Sequence, residues 1–263
     1  GPLAELVSGA ASASPYLGEL VRREGGWLEQ ALAGTTEAAM AGLLSAPVEA
    51  ADRDLRVKKA RAALLIGLAD LSGVWSLDEV TGALTRLAEH ATQAALEAAI
   101  APLLRRGKVP GQDETSLAEA AGLTVLAMGK MGAGELNYSS DIDLICLFDE
   151  TRFDPDDYAE ARTAFVKAVR AMCKTLSTRT ADGYVFRTDL RLRPDASVTP
   201  VVLSMEAAER YYESFGRTWE RAAYIKARPA AVDRAAGARF LERLAPFIWR
   251  RHLDFAAIQD AHD

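Results

Sequence analysis

The sequence of 263 residues is poor in residues that build covalent or zinc-based frameworks. Its two cysteines and three histidines are too few for a disulfide scaffold or a four-cysteine zinc site. The longest apolar run, Ala62–Ala69, is eight residues long, whereas a membrane-spanning helix needs about 20. The composition therefore excludes a transmembrane protein, and its 49% of hydrophobic residues predicts an ordinary globular chain.

Positive charge is also in deficit, with 31 Lys and Arg against 37 Asp and Glu and a net charge of −6. This balance disfavours broad binding to nucleic acid, although it does not exclude a local basic pocket. The first residues show no basic segment followed by an apolar one, so we expect no secretory signal and a cytoplasmic location.

The spacing of apolar residues divides the chain into three regions. Residues 1–106 are predicted to be helical, since apolar residues recur every three or four positions and Ser76–Glu79 has the pattern of a capping box. Residues 107–199 are predicted to form a small mixed sheet with helices, and residues 200–263 to be helical again. The predicted fold class is therefore α+β, with a catalytic core flanked by helical segments.

Three carboxylates fall on predicted strands of the central region. Asp141 and Asp143 lie two residues apart at the start of one strand, so their side chains share a face. Asp189 lies on a strand predicted over Tyr184–Leu192, on the same face as Arg187. If these strands are neighbours, the carboxylates meet on one surface and offer the oxygen ligands that Mg²⁺ or Mn²⁺ prefers. Two such ions can clamp the attacking and leaving oxygens of a phosphoryl transfer.

A loop rich in glycine and hydroxyl groups precedes Asp141, and arginines follow Asp189. Glycines permit close backbone approach to phosphate, and arginines bind phosphate oxygens bidentately. The candidate phosphate- and nucleotide-binding residues are Gly129, Lys130, Ser139, Ser140, Arg191 and Arg193. For the lysine, a solvated position on the loop is an equally good interpretation.

Each of these features is common alone, but their order is specific. Strand, Gly/Ser loop, Asp-x-Asp, helix and a strand with a third carboxylate resemble the polymerase-β-type nucleotidyltransferase superfamily. More closely, residues 129–145, 187–194, 219–228 and 247–255 resemble the bifunctional glutamine synthetase adenylyltransferase/adenylyl-removing enzymes. The resemblance implies a polymerase-β-like nucleotidyltransferase core and a chain that is part of a larger enzyme. The sequence departs from the family pattern at 195–200, which lacks glycines expected there, and at Val232.

Enzymes of that family carry two related domains, of which the amino-terminal one removes AMP from a tyrosine of glutamine synthetase and the carboxy-terminal one adds it. Residues 135–143, 211–213 and 255–259 resemble the amino-terminal half. The implied reaction is phosphorolysis, in which phosphate attacks adenylylated tyrosine and gives ADP. In this interpretation Asp141 and Asp143 hold the catalytic metal, and Asp189 is a third ligand or a base that orients the nucleophile.

The resemblance also implies the partners. They are glutamine synthetase, phosphate, ADP, ATP or its AMP group, and a PII-type signalling protein that acts through the full-length enzyme; neither nucleic acid nor a membrane is expected. Two alternatives remain open, namely ATP-dependent adenylylation of glutamine synthetase and a non-catalytic module that binds nucleotide or a regulator. The roles of Glu135, Glu220, Lys226 and Arg228 also remain open.

Overall fold

The computed structural model describes residues 2–249, and the side chains of residues 4–249. The predicted helical segment beyond residue 249 lies outside the described residues. The α-helices are α1 Pro2–Ala13, α2 Pro15–Ala31, α3 Thr36–Ser45, α4 Ala51–Leu71, α5 Leu77–Arg105, α6 Gly129–Gly132, α7 Tyr158–Ser177, α8 Met205–Phe215, α9 Thr218–Tyr224 and α10 Arg234–Ile248. The strands are β1 Leu123–Ala127, β2 Ile142–Phe148, β3 Thr188–Asp189, β4 Val202–Ser204 and β5 Arg228–Val232.

The helices of the first third begin at polar caps that the sequence supplies. Ser14 and Thr35 accept hydrogen bonds from the first turns of α2 and α3. The predicted capping box of α5 is confirmed, because Ser76 N–H donates to Glu79 at 2.7 Å and Glu79 N–H donates to Ser76 Oγ at 3.4 Å. Helices α1, α2 and α4 pack on one another through an apolar cluster that includes Leu20, Leu28 and Leu64.

The sheet is mixed, and β2 lies at its centre. One edge of β2 pairs with β1 in antiparallel fashion, and β1 pairs in turn with β5. β2 also pairs in parallel with β3 at residues 142 and 143 and with β4 at residues 146–148. β3 and β4 are therefore two short strands that pair with successive parts of β2.

Alternation along β2 gives each face of the sheet its own core. One face packs against α5 and α7 through Ile142, Leu144, Cys146 and Phe148. The other face packs against α8 and α10 through Ile145 and Leu147. Asp143 shares the parity of Ile145 and Leu147, so it lies on the second face, at the start of the strand.

The structure confirms the α+β class and corrects some elements. The strand predicted over Tyr184–Leu192 is restricted to Thr188–Asp189, because the chain turns after Asp189. The prediction that residues 200–263 are helical is wrong at β4 and β5, and a 3₁₀ helix over Glu114–Gly122 precedes β1. The domain boundaries at 106 and 199 remain predictions. Within the described residues, no helix combines the length and the apolar character needed to cross a membrane.

Two buried cations of α4 fix the ends of neighbouring helices. Lys58 Nζ donates to the carbonyls of Leu43, at 2.5 Å, and Ala46, at 2.6 Å, where α3 ends. Arg56 donates to the carbonyls of Thr178, at 2.5 Å, and Gly183, at 3.0 Å, where α7 ends. Both side chains therefore satisfy carbonyl groups at the ends of α3 and α7, and Arg56 is a second donor to the Gly183 carbonyl, which also accepts from Thr180 N–H at 2.9 Å.

We expect Lys58→Met to lower the free energy of unfolding by about 1–3 kcal/mol, because the buried carbonyls at the end of α3 lose their donor. Urea denaturation measures the change. Lys167→Met, at an exposed position of α7, is the matched control and should shift stability by less than about 0.5 kcal/mol. Equal losses in the two variants would show that the carbonyls do not depend on Lys58.

Candidate active site

Strand pairing brings two of the predicted carboxylates together. Asp143 of β2 and Asp189 of β3 are direct register partners in the parallel pair. Since register partners on adjacent strands project from the same face, the two side chains stand side by side. The backbone of Asp143 is also fixed, because its carbonyl accepts from Met128 N–H at 2.9 Å.

The two carboxylates have opposite electrostatic surroundings. Burial, followed by the negative charges of Asp189 and Asp141, raises the pKa of Asp143. Hydrogen bonds from the Arg191 guanidinium and backbone N–H lower the pKa of Asp189. The charge of Asp143 is thus opposed by two neighbouring carboxylates, whereas the charge of Asp189 is neutralised by Arg191 of the loop that follows it.

Asp141 is held by Arg187, which is not among the residues predicted for the site. Arg187 Nε donates to Asp141 at 2.5 Å, and Arg187 Nη2 donates to the carbonyl of Ser139 at 2.7 Å. Arg187 therefore ties the Gly/Ser loop to the segment that leads into β3. In the sequence, the signal that Arg187 belongs to the site is its position two residues before Asp189, on the same strand face.

The glycine loop allows close approach to Asp143. Gly129 has a φ of +54°, and a Cβ at this position would lie 2.7 Å from Asp143 Oδ2. Any other residue would therefore strain the backbone and collide with the carboxylate. Gly132, at the end of α6, is packed as closely, since a Cβ there would lie 2.1 Å from the Lys226 carbonyl.

A second arginine supports this loop from behind. Arg228 of β5 donates to the carbonyls of Gly132, at 2.9 Å, and Met131, at 3.1 Å, and pairs with Glu89 of α5. Lys226 pairs with Glu135 at 3.4 Å on the exposed side of the same loop. Three of the residues whose roles the sequence left open thus hold the loop in place.

Glu220, the fourth, is a structural residue. It is 2% exposed, accepts from Arg217 N–H at 2.8 Å and so caps α9. It also accepts from Tyr211 Oη at 3.1 Å. Its burial and these hydrogen bonds give Glu220 a structural role at the start of α9.

The predicted phosphate-binding residues lie in different surroundings. Lys130 and Ser139 are exposed beside Gly129 and Asp141, and Ser140 Oγ donates to Asn137 at 2.5 Å. Arg193 turns away from Asp189 and donates to the carbonyls of Pro200, Leu190, Ala196 and Thr199 at 2.8–3.0 Å. Its guanidinium therefore holds the loop between β3 and β4.

The donor set fits a divalent cation, although the side chains do not converge on one point. Within residues 2–249, no group of three or more Asp, Glu, His or Cys side chains forms a ready cluster for a metal ion. Asp141 and Asp189 each face an arginine instead. The pairing of Asp143 with Asp189 and the negative charge around Asp143 nevertheless supply oxygen ligands of the type that Mg²⁺ and Mn²⁺ take.

Comparison with known proteins identifies the family of this chain. The model of the family described as glutamate-ammonia ligase adenylyltransferase matches residues 4–243. The chain belongs to this family. The matched range contains the glycine loop, all three carboxylates and the arginines that hold them.

Curated relatives in this family carry the name bifunctional glutamine synthetase adenylyltransferase/adenylyl-removing enzyme. The protein from Bradyrhizobium sp. strain BTAi1 is 49% identical over 98% of this chain and 27% of its own length. Those from Rhodopseudomonas palustris strain CGA009 and Caulobacter vibrioides are each 48% identical, over 96% and 95% of the chain and 26% of their own length. The chain thus spans about a quarter of the relatives that it matches.

We expect Gly129→Ala to destabilise the chain more than Gly134→Ala. Both glycines have positive φ, but a Cβ at Gly134 meets nothing within 4 Å, whereas one at Gly129 collides with Asp143. The collision should add about 1–3 kcal/mol to the loss in unfolding free energy, measured by urea denaturation. Equal losses would show that Asp143 moves aside without cost.

The carboxylates should give opposite dependences of stability on pH. Because the folded pKa of Asp143 is raised, its ionisation opposes folding, and this penalty grows as pH rises through the raised value. Asp143→Asn should therefore be more stable than the parent chain at pH 7, and the gain should vanish near pH 3.

For Asp189, whose pKa is lowered, the sign reverses. Asp189→Asn should be less stable at pH 7, and the loss should fade as pH falls through the folded pKa. Urea unfolding at several pH values in EDTA measures both variants. Changes of the same sign would contradict the opposite surroundings of the two carboxylates.

Proposed function

We propose that the chain is a nucleotidyltransferase domain that removes AMP from adenylylated glutamine synthetase by phosphorolysis and releases ADP. The observation that carries this proposal is the register pairing of Asp143 with Asp189 beside a glycine loop, in a chain of the adenylyltransferase family. The removing direction is supported by residues 135–143 and 211–213, which resemble the amino-terminal half of these enzymes.

The proposed cofactor is Mg²⁺ or Mn²⁺, held by Asp141, Asp143 and Asp189. When bound, it polarises the phosphoryl group and favours attack on phosphorus. The raised pKa of Asp143 supports this assignment, because a carboxylate that ionises at a cost gains most from a neighbouring cation.

The arginines supply the complementary part of the mechanism. Arg191 is 84% exposed in its side chain, so it can turn from Asp189 to the oxygens of an incoming phosphate. Arg187 can turn from Asp141 to the same region, because both partners are about half exposed. If a metal ion replaced the two arginines as partner of the carboxylates, the released guanidinium groups would bring positive charge to the transferred phosphoryl group.

The loop residues complete the proposed site. The backbone after Gly129, together with Ser139 and Ser140, would hold phosphate oxygens, and Lys130 lies exposed on the same loop. Arg193 would act indirectly, by fixing the loop that follows Asp189. Glutamine synthetase as substrate, a PII-type protein as regulator of the full-length enzyme and a cytoplasmic location belong to the same proposal.

The identity of the product tests the proposal. The chain incubated with adenylylated glutamine synthetase, phosphate and Mg²⁺ should release ADP, and Asp143→Asn should lower the rate at least about a hundredfold. Since that variant is expected to be more stable at pH 7, unfolding would not explain its loss of activity. Asp156→Asn, at an exposed position, is the matched control and should keep the parent rate.

The alternatives give different results. Pyrophosphate released from ATP and unmodified glutamine synthetase would assign the chain to adenylylation instead. Metal-dependent nucleotide binding without either product would favour a non-catalytic module. Full turnover by Asp143→Asn would overturn the metal assignment.

A further inference from the structure

A cavity of about 770 Å³ lies between α2, α4 and the turn that joins α7 to β3. Its volume is within the range of about 300–1,000 Å³ that is typical of small-molecule sites. Ser139 and Ser140 form part of its wall, so the cavity borders the candidate active site. The carboxylates Asp141, Asp143 and Asp189 do not line it, so the cavity shares the loop of Ser139 and Ser140 with the candidate active site but not its carboxylates.

Lys59 of α4 brings a positive charge into this cavity. Its Nζ lies 3.9 Å from the centroid of the Phe186 ring, which forms another part of the wall. Burial lowers the pKa of Lys59 to about 8, and no carboxylate of the described residues counteracts this shift. The ammonium group is therefore mostly protonated at neutral pH, it is partly exposed to the cavity, and it has no anionic partner among the described residues.

The neighbouring cation of α4, Arg56, differs from Lys59 because it has hydrogen-bond acceptors within the chain. Arg56 also lines the cavity, but its guanidinium donates to the carbonyls of Thr178 and Gly183. Lys59 makes no comparable hydrogen bond within residues 2–249; its one described polar contact is the Phe186 ring. An unpaired charge of this kind favours an anionic ligand.

The remaining walls are mainly apolar and aromatic. Two further arginines belong to the lining, but Arg23 pairs with Glu24 at 3.2 Å and Arg179 is exposed. Glu19 and Asp182 are exposed, and Asp70 accepts a hydrogen bond from Tyr138 Oη at 2.8 Å, so none of these acids pairs with Lys59. Flat rings suit a flat apolar ligand, because aromatic faces stack with little loss of conformational entropy. The aromatic residues of the wall are Tyr16, Tyr138, Tyr184 and Phe186.

We propose that this cavity binds a small organic anion, with a phosphate or carboxylate head on Lys59 and a flat apolar body against the aromatic walls. The site is distinct from the metal-binding carboxylates, so binding does not require the proposed phosphorolysis. Tyr184 Oη lies 3.3 Å from Arg187 Nη1, so a ligand in the cavity stands next to the arginine that holds Asp141.

Three probes of similar shape test the proposal in EDTA at pH 7, where the carboxylate site holds no metal. Phenyl phosphate and benzoate carry the two anionic heads, and benzamide is neutral. Ligand-observed NMR titration should show that at least one anion binds about tenfold or more tightly than benzamide, since a charge-assisted hydrogen bond is lost in the neutral probe. The preferred head identifies which class of anion the cavity takes.

Variants at Lys59 locate the binding. Lys59→Met should reduce the affinity for the anion about tenfold, to that of benzamide, whereas Lys59→Arg should retain most of it. Lys108→Met, at an exposed position beyond the far end of α5, should bind as the parent chain does. If circular dichroism shows that Lys59→Met does not fold, the comparison of benzoate with benzamide on the parent chain still tests the proposal. Equal binding of charged and neutral probes, no binding of any probe, or unchanged affinity in a folded Lys59→Met would overturn the proposal.

Discussion

The pairing of Asp143 with Asp189 across two parallel strands is the constraint to which the rest of the site responds. Two carboxylates side by side repel each other, and partial burial of Asp143 increases the cost of its charge. The surroundings allow this arrangement in two ways. Gly129 leaves space beside the Asp143 carboxylate, and Arg191 neutralises Asp189. Such local cost is characteristic of sites in which stability is sacrificed for chemistry.

Helix α5 connects this site to the helical part of the chain. Glu89 pairs with Arg228, which donates to the carbonyls of the glycine loop, and Gln93 accepts from the backbone N–H of Val232 at 2.6 Å. The same helix packs on α4 and α7 through a hydrophobic core that continues under the sheet. The glycine loop is therefore positioned by contacts from several elements, which is why it can keep close backbone approaches.

Local patterns predicted much of the fold and part of the site. The capping box at Ser76 and the alternation along β2 depend on neighbouring residues, so the sequence alone reveals them. β4 and β5 escaped prediction because each is short, and β5 contains Pro229, which is tolerated because β5 is an edge strand. Arg193 follows the alternating pattern but turns to backbone carbonyls of a later loop. Spacing places Arg187 on the face of Asp189 but does not show its partner Asp141, which lies 46 residues away, and Arg228 acts only through partners at least 96 residues away.

The arginine pairs at Asp141 and Asp189 have a consequence for the order in which the chain folds and binds a cation. In small zinc domains the ligand charges are balanced only by the ion, so folding waits for metal supply. Here the chain brings its own counter-charges, because Arg187 and Arg191 reach their carboxylates without any added ion. The charges of these two carboxylates are therefore balanced within the folded chain itself, and the Mg²⁺ or Mn²⁺ proposed for the site would bind to a chain that is already folded.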